Sequence, residues 1–397
     1  MKRNFLIFTA VLISLMLILT ACSTSGFNDK TTKGSSVKTA DPTPPVYDFD
    51  PVIAKGSFPD IAVDKNGNVH VTYGRMTKLY YKQFDAKTGK WSDEKDLDVK
   101  ILSAGGFGIE RSDPDIVIDS KNNPHIFAGS EYIYFDGSSW KKIRPRTENL
   151  RDTELGIDSK DNLYIVHRGG NSPGGAMGLL KLSAGATSWV ACPDPDPVLG
   201  TRTDHVYPDL YVGKDDTVHI AYRHALPMKT SYMFSKDGGK TWTSEGVSNA
   251  EPEAPHIIVN SKNTVYITEG EAYFYTRTAE GKFEREGRAI KSLGRMQPEL
   301  DIDSKDNIYV ACFNGLYNIR TNGTWIGEKV NGIYTGKTLT SHTGAKIGFV
   351  EMAGAKDFVY AIWEEGAVND EKGADATKTD IVVGKIFADG TSKAGFY

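Results

Sequence analysis

Four side chains capable of acid–base chemistry lie close to one predicted hairpin. His205 and Tyr207 precede one apolar run, and Arg223 and His224 follow the next apolar run. A polar turn separates the two runs, so antiparallel pairing would bring all four residues to one end of the hairpin. A tyrosine or histidine can accept a proton there, and an arginine offers a planar fork to a carboxylate. We therefore predict recognition of, or proton abstraction from, an acidic or polyhydroxylated ligand.

The segment that carries these residues recurs along the chain. Seven copies have a mean spacing of about 48 residues. They begin Pro59-Asp60-Ile61, Pro114-Asp115-Ile116, Thr153-Glu154-Leu155, Pro208-Asp209-Leu210, Pro255-His256-Ile257, Pro298-Glu299-Leu300 and, weakly, Ala345-Lys346-Ile347. This period is typical of propeller blades with four strands each. The sequence thus predicts an all-β, seven-bladed β-propeller with antiparallel blades.

Each copy repeats the same local pattern. An Asp/Asn/Gly turn joins the first and second strands, as in Asp64–Asn68 and Asp303–Asn307. These turns lack the alternating acidic ligands of a calcium loop, and their residues are those that a tight hairpin requires. The fourth strand is marked by Trp91, Trp140, Trp189, Trp242 and Trp325, with Phe283 in the fifth copy. We expect these aromatic residues to pack between blades.

The stretch Ser235-Lys236-Asp237-Gly238-Gly239-Lys240-Thr241-Trp242 fits the pattern S-x-D-x-G-x-T-W. It resembles the Asp box of sialidase-like (BNR) propellers, which implies a structural role for Ser235, Asp237, Gly239, Thr241 and Trp242. The resemblance places the motif at the outer turn of a blade, away from the axis. Asp237 is expected to accept backbone hydrogen bonds within the hairpin.

The face that receives the first strand and releases the second should hold the functional residues. A funnel there, lined by histidine, arginine and carboxylate, suits an anionic or polyhydroxylated ligand. Besides the four residues above, the candidates for ligand binding are His167, Arg168, Arg75, Arg111, Arg151, Arg295, Glu269 and Glu364. A polar but unspecialised rim is the alternative interpretation of the same residues.

Two enzyme families share this architecture. The sialidases use an arginine triad, one member of which leads into a first strand. In this sequence Phe58, Asp113 and Tyr207 stand before the strand prolines instead, which speaks against sialidase activity. The ulvan-type polysaccharide lyases use Tyr or His as the base and Arg or His to neutralise a uronate. His205, Tyr207, Arg223 and His224 resemble that set in type.

The first residues of the chain resemble a bacterial lipoprotein signal. A basic start is followed by an apolar run and by Leu19-Thr20-Ala21-Cys22, which is similar to a lipobox. We expect residues 1–21 to be a signal peptide and residues 22–45 to be a flexible tether with lipidated Cys22. Residues 46–397 would then form the propeller, with Val46–Ala54 supplying an outer strand to the weak last copy.

Composition excludes several other classes. A formal charge of −4 gives no basic footprint for nucleic acid. Cys192 and Cys312 lack the neighbouring Cys or His of a metal site and fall in distant copies, so we expect no metal, no cofactor and no disulfide. We predict a monomeric lipoprotein of the bacterial cell envelope that binds a glycan or another anionic ligand. A carbohydrate-active enzyme, either a uronate lyase or a sialidase-like hydrolase, and a scaffold that docks another envelope protein are the alternatives.

Overall fold

The computed structural model divides the chain into Met1–Thr43 and Pro44–Tyr397, and every residue that it describes lies in the second unit. The described residues are 52–101, 113–145, 150–168, 177–193, 205–224, 228–249, 254–270, 272–288, 298–312, 315–321, 324–325, 346–366, 379–387 and 392–394. The predicted signal peptide, Cys22 and the tether lie outside them.

The described residues form seven antiparallel sheets, six of which are built wholly from consecutive strands. Sheet 1 contains β2 Ser57–Val63, β3 Val69–Arg75, β4 Lys78–Asp85, β5 Lys90–Trp91 and β6 Lys95–Lys100. Sheet 2 contains β7 Asp115–Ile118, β8 Pro124–Ala128, β9 Glu131–Phe135 and β10 Trp140–Ile143. Sheet 3 contains β11 Arg151–Ile157, β12 Leu163–Arg168, β13 Met177–Leu182 and β14 Val190–Ala191.

Sheets 4 to 6 repeat this order of four strands. Sheet 4 contains β15 His205–Val212, β16 Val218–His224, β17 Lys229–Ser235 and β18 Thr243–Ser248. Sheet 5 contains β19 His256–Val259, β20 Val265–Glu269, β21 Tyr273–Arg277 and β22 Phe283–Arg288. Sheet 6 contains β23 Glu299–Ile302, β24 Ile308–Cys312, β25 Gly315–Thr321 and β26 Thr324–Trp325.

The remaining sheet, the closing sheet, combines strands from both ends of the described chain. It contains β27 Lys346–Gly354, β28 Phe358–Gly366, β29 Asp380–Phe387 and β30 Ser392–Ala394, with β1 Val52–Lys55 beside β29. Val52 pairs with Val382 and Lys55 pairs with Asp380. The prediction that Val46–Ala54 supplies an outer strand is therefore confirmed for Val52–Ala54, whereas residues 46–51 lie outside the described part of the chain.

The sheets follow one another around an axis. Their first strands are neighbours in the order β2, β7, β11, β15, β19, β23 and β27, and β27 lies beside β2. Seven apolar clusters of described residues each join two consecutive sheets. Trp91, Trp140, Trp189, Trp242 and Phe283 pack into these clusters, as predicted. The all-β propeller with four-stranded antiparallel blades is confirmed.

The recurrent turn after each first strand has a defined hydrogen-bonding role. Asp64 Oδ1 accepts bonds from the backbone N–H groups of Asn66 and Asn68, at 2.8 and 2.9 Å. In most sheets a residue of this turn also bonds to the preceding turn; for example, Asp161 accepts bonds from the N–H and the hydroxyl of Ser120, at 2.7 and 2.6 Å. The left-handed backbone of Asp161, with φ of 61°, points its side chain there. The turns therefore join the blades on the face opposite the first-strand starts.

The register predicted for the last copy is wrong. The residue of the last copy that is equivalent to Asp60 is Glu351, not Lys346. Glu351 pairs with Ile362 in the closing sheet, just as Asp60 pairs with Thr72 in sheet 1. A register shift between Gly348 and Val350 precedes it, and the proline that marks most other copies is missing. Without that proline the sequence offered only an apolar run to align.

No helix among the described residues is long and apolar enough to span a bilayer.

Candidate functional site

A cavity of about 180 Å³ opens on the axis, where the first strands begin. Its described lining is built almost entirely from the short segments that start the repeat copies. It comprises Phe58–Asp60, Asp113–Ile116, Asp152–Leu155, Tyr207–Asp209, Ala254–His256, Glu299, Val350 and Glu351. Eight of these residues carry a carboxyl group, whereas none is arginine or lysine.

Each sheet contributes one residue to a belt around this cavity, which we call the axial ring. Its members are Asp60, Asp115, Glu154, Asp209, His256, Glu299 and Glu351. Six of them are the middle residues of the triplets that begin the predicted repeat copies. In the sequence these triplets only align the copies and indicate no site role. Because equivalent strand positions converge on the axis of a propeller, six acidic residues and one histidine are brought together from positions far apart in sequence.

A β-bulge precedes the ring residue in several sheets. The pairing shifts between Ser57 and Asp60, between Arg151 and Glu154, and between Val206 and Asp209. Phe58, Asp152 and Tyr207 lie within these bulges and have φ of 52°, 44° and 51°. An extra unpaired residue in a bulge redirects its side chain. In these three sheets the bulge residue is two residues before the ring residue, and its side chain lines the cavity.

Two ring carboxylates also hold neighbouring sheets together. Asp60 accepts the N–H of Ile61 at 2.7 Å and the N–H of Ile116 in sheet 2 at 2.6 Å. Asp209 bonds in the same way to its own strand and, at 2.6 Å, to the N–H of Ile257 in sheet 5. These bonds satisfy backbone groups at the start of the next first strand, so this part of the ring is structural as well as exposed to the cavity.

The ring is electrostatically crowded. Burial raises the pKa of Asp60 to about 7 and that of Asp209 to about 6, against the lowering effect of their backbone bonds. Burial, followed by the charge of a neighbouring carboxylate, holds the pKa of Asp115, Glu154 and Glu351 well above the usual range. Like charges in a confined space disfavour ionisation. Near neutral pH the ring therefore contains both carboxylates, which accept hydrogen bonds, and carboxylic acids, which also donate them.

In sheet 5 the ring position is occupied by His256 instead of an acidic residue. Its Nδ1 lies 3.0 Å from Glu299 Oε1 and 3.7 Å from Asp209 Oδ2. The charge of His256 lowers the pKa of Asp209, opposing the burial that raises it. The cavity thus has an ionisable histidine between sheets 4 and 6, and only carboxyl groups in the ring positions of sheets 1 to 3.

Among the four residues predicted to carry the chemistry, those with described side chains do not all lie together at one open site. Tyr207 lines the cavity, and the Arg223 guanidinium lies 5.9 Å from the centre of its ring. His224 is buried and its Nε2 lies 3.0 Å from the Ser231 hydroxyl. His205 pairs with His224 in the strand register, but its side chain lies outside the described residues. Antiparallel pairing does bring the four to one end of the hairpin, whereas a single solvent-open cluster does not form.

Several predicted rim residues make buried or paired contacts instead. Arg168 is buried and its Nε lies 2.9 Å from Asp152 Oδ2, in the cavity lining. Its strand neighbour His167 is also buried. Arg151 is half-buried and pairs with Arg168 across the strands. Arg75 donates to Glu94 Oε1 at 2.9 Å.

The two predicted carboxylates lie between sheets. Glu269 is buried and accepts bonds from Ser248 at 2.6 Å, from Tyr275 at 2.8 Å and from the Thr230 hydroxyl. Glu364 is buried and accepts the backbone N–H of Phe58, and burial raises its pKa to about 8. Both differ from the expected rim position because neighbouring sheets cover them. Arg111 and Arg295 lie outside the described residues.

The stretch Ser235–Trp242 forms the turn before β18, away from the cavity lining. Asp237 Oδ1 accepts the backbone N–H groups of Lys240 and Thr241 at 3.0 and 2.9 Å. The Ser235 hydroxyl donates to Asp237 and accepts the N–H of Gly239. Trp242 packs into the cluster between sheets 3 and 4. These contacts give Asp237 the structural role expected for it.

No family model and no curated protein matches the chain. Solved structures do resemble it. A PL25 ulvan lyase bound to -[GlcA(1-4)Rha3S]- has a TM-score of 0.58 at 12% identity, covering 85% of this chain and 96% of that chain. The polysaccharide lyase Uly1 has a TM-score of 0.52 at 13% identity, covering 83% and 90%.

An extracellular domain from B. thetaiotaomicron, that of BT4673, has a TM-score of 0.51 at 11% identity, covering 83% of this chain and 38% of that chain. Identities this low establish a shared fold, and the chemistry must be argued from the site itself.

Among the described residues, no group of three or more His, Cys, Asp or Glu side chains has the arrangement of a metal site. The ring therefore does not form a ready-made metal centre in the part of the chain that is described.

Proposed function

We propose that this protein binds a glycan in the axial cavity. The observation that carries the proposal is the combination, at one enclosed site, of the axial ring with the aromatic side chains of Phe58 and Tyr207. Carboxylates accept hydrogen bonds from sugar hydroxyls, and carboxylic acids can also donate to them. An aromatic face packs against the apolar face of a sugar ring. A concave site that combines aromatic side chains with polar groups is typical of small-ligand recognition.

The charge of the lining argues against the anionic ligand expected from the sequence. That expectation rested on Arg223 in the hairpin and on the predicted rim arginines. The described residues that line the cavity do not include Arg223, Arg75, Arg151 or Arg168. An acidic ligand would add to the repulsion that already raises the pKa of Asp115 and Glu351. We therefore restrict the proposed ligand to neutral or basic glycans.

We further propose an extracytoplasmic, lipid-anchored location. The support is the lipobox-like Leu19–Cys22 together with the tether that follows it. In the sequence the tether is followed, after a few residues, by β1, the outer strand of the closing sheet, which we count as a seventh blade. On this proposal the chain is a monomeric envelope lipoprotein of the Asp-box (BNR) type, with residues 22–45 as a flexible link between lipid anchor and propeller. Metabolic labelling with a fatty acid, compared with Cys22→Ser, tests the anchor.

Calorimetric titration of the fragment from residue 46 onward tests binding, using a panel of neutral and basic oligosaccharides. Tyr207→Leu should weaken binding about 10-fold or more, since it removes an aromatic face from the cavity. Asp93→Asn is the matched surface control, because Asp93 is exposed outside the lining. Its affinity should equal that of the native fragment. If Tyr207→Leu and the native fragment bind every glycan equally, the axial cavity is not the site.

A hydrolytic enzyme is the second candidate. Asp60 and Asp209 have pKa values of about 7 and about 6, close to the value that a general acid needs near neutral pH. β-Elimination is less well supported, since it needs a cation to neutralise a uronate and the described lining has neither arginine nor lysine. Release of reducing ends from neutral glycans would favour hydrolysis. Absorbance of unsaturated uronates that disappears in Tyr207→Phe would favour the lyase instead.

A further inference from the structure

The first strands enclose the axial cavity from all sides, so that it opens on the face where these strands begin. Its described lining takes at least one residue from each sheet, and the first strands are neighbours all the way around the axis. The lining ends at the ring residues and at the residues that directly follow two of them, Ile116 and Leu155; no described residue further along a first strand lines it. A ligand that reaches the ring therefore enters and leaves by the same opening.

The size of the cavity limits how much of a glycan can enter it. Pockets that hold a whole drug-sized ligand have volumes of about 300–1,000 Å³. This cavity has a volume of about 180 Å³, so it has room for about one sugar unit. A chain with an interior unit at the ring would also need both neighbouring units side by side in the opening, and the volume does not allow this.

We infer that the axial cavity recognises the terminal sugar of a glycan rather than a unit in the interior of the chain, an inference that rests on the proposed glycan binding. In this arrangement the ring residues bond to the hydroxyl groups of the terminal sugar, and the aromatic side chains of Phe58 and Tyr207 pack against it. The remaining units of the glycan lie outside the cavity.

Arg223 lies where the second unit of such a glycan leaves the cavity. It pairs with Val206, three residues before the ring residue Asp209, so its backbone lies nearer the opening than the ring does. It is not part of the described lining, yet its guanidinium lies 5.9 Å from the centre of the Tyr207 ring. Its one described side-chain hydrogen bond runs from Nη2 to the Met228 thioether, a weak acceptor, at 3.2 Å. Arg223 is therefore placed to donate to the hydroxyl oxygens of the second unit.

Ladders of oligosaccharides from one to six units test the inference by calorimetric titration of the fragment from residue 46 onward. The ladders are β-1,4-linked oligomers of glucose, of N-acetylglucosamine and of glucosamine. For each ladder that binds, we expect one protein per chain at every length. The affinity should rise about 10-fold from one unit to two, the scale of a hydrogen bond from a charged donor, and about twofold or less from two units to six. An NMR titration measures the weak binding of the single unit.

Modified chain ends identify the terminus that is bound. A methyl group on O4 blocks the non-reducing end, and borohydride reduction opens the sugar ring at the reducing end. One of the two changes should weaken binding of the trimer about 10-fold or more, because it alters the sugar inside the cavity. The other change should have little effect.

Arg223→Gln should remove most of the gain from the second unit but not the binding of the single unit, because Arg223 lies outside the described lining. The matched control is Arg285→Gln. The exposed Arg285 also lies over a tyrosine ring, 5.0 Å from the centre of Tyr273, but it belongs to the outermost strand of sheet 5. This control should keep the full gain. A thermal melt shows whether Arg223→Gln is folded, and the ladders with the native fragment test the inference independently of any variant.

Several proteins bound along one hexamer, or an affinity that keeps rising with each added unit, would overturn the inference while leaving glycan binding intact. A trimer whose affinity survives both end modifications would also overturn it. A folded Arg223→Gln that keeps the full gain would overturn the assignment of the second unit to Arg223. If none of the ladders nor any member of the wider panel binds, the proposed function itself fails.

Discussion

A histidine follows the first hairpin turn in three sheets, buried in sheets 1 and 4 and half-buried in sheet 2. One of the three lacks a carboxylate partner that the other two have. His70, His125 and His219 each place Nδ1 within 2.7 Å of a tyrosine hydroxyl. The Nε2 of His70 faces Asp64 at 3.5 Å, and that of His125 faces Asp119 at 3.4 Å. In sheet 4 the residue equivalent to these aspartates is Gly213, so no carboxylate occupies that position beside His219.

This difference has a calculable effect on stability. Burial lowers the pKa of His219 from 6.5 to about 4, against a raising effect of Asp215. Because the unfolded chain binds the proton more readily than the folded one, stability is fully present above about pH 6.5 and is lost as the pH falls towards 4. The difference between the two pKa values corresponds to at most about 3 kcal/mol. For His70 the burial effect is opposed by the hydrogen bond to Asp64.

Gly213→Asp should restore the missing partner. A Cβ atom at Gly213 would lie 3.2 Å from His219 Nε2 and 3.0 Å from Asp215 Oδ1. The exposed Asp215 side chain must therefore shift and weaken its bond from the Thr217 N–H, which limits the gain. The new carboxylate would stabilise protonated His219. We expect the variant to recover about 1–2 kcal/mol of the stability lost between pH 6.5 and pH 4. Gly213→Asn adds similar volume without charge and should recover almost none.

Urea unfolding at several pH values measures these free energies, and an NMR titration reports the pKa of His219 directly. Comparing the two variants cancels the opposite pH dependence of the axial ring, whose raised pKa values stabilise the fold at low pH. Parallel pH profiles for Gly213→Asp and Gly213→Asn would refute the reasoning. So would a His219 that titrates near 6.5 in the native protein.

Three further predictions concern the ring, the turns and the closing sheet. Glu351→Gln should stabilise the fold by about 1–2 kcal/mol at pH 8 and hardly at pH 4, because the raised pKa of Glu351 makes its ionisation in the folded state costly. Melting curves at several pH values measure this trend, and the exposed control Glu284→Gln should not show it. Asp161→Gly keeps the left-handed backbone but loses the bonds from the preceding turn, so urea unfolding should show a loss of about 1–2 kcal/mol, with a smaller loss for Asp161→Asn. Removing residues up to Lys55 should lower the melting temperature and cause aggregation detectable by light scattering, because residues 380–382 of β29 lose their pairing with β1 and become an open edge. A fragment that starts at residue 46 should stay monodisperse.

Local patterns in the sequence were sufficient for the strands and turns. The Asp/Asn/Gly turns at Asp64–Asn68 and Asp303–Asn307 join first and second strands, as their composition predicted. The aromatic residues of the fourth strands pack between sheets, as their regular recurrence indicated. These features depend on neighbours within one copy, so a single sequence contains enough information to predict them.

The acidity of the cavity and the burial of its predicted rim residues depend on contacts between repeat copies. The spacing of the copies along the sequence does not reveal these contacts. The Pro-Asp and Pro-Glu pairs predicted where strands begin, but their convergence into an acidic ring requires the curvature of the whole propeller. Likewise, Glu269 and His224 look like mouth residues from their place at strand ends. Packing of sheet 4 against sheet 5 buries Glu269 under Thr230 and Ser248, and the Ser231 hydroxyl holds His224.

The start of each first strand serves two purposes, and the bulge separates them. The ring position faces the next sheet, where Asp60 and Asp209 bond to the backbone N–H of Ile116 and Ile257. A replacement there leaves a backbone donor unsatisfied, which is costly. Two residues earlier the bulge leaves the chain unpaired, so a side chain such as Tyr207 can change without breaking the ladder. The mostly acidic ring and the varied residues two positions earlier, Phe58, Asp113, Asp152 and Tyr207, therefore fit a fold with a fixed frame and an adjustable binding site.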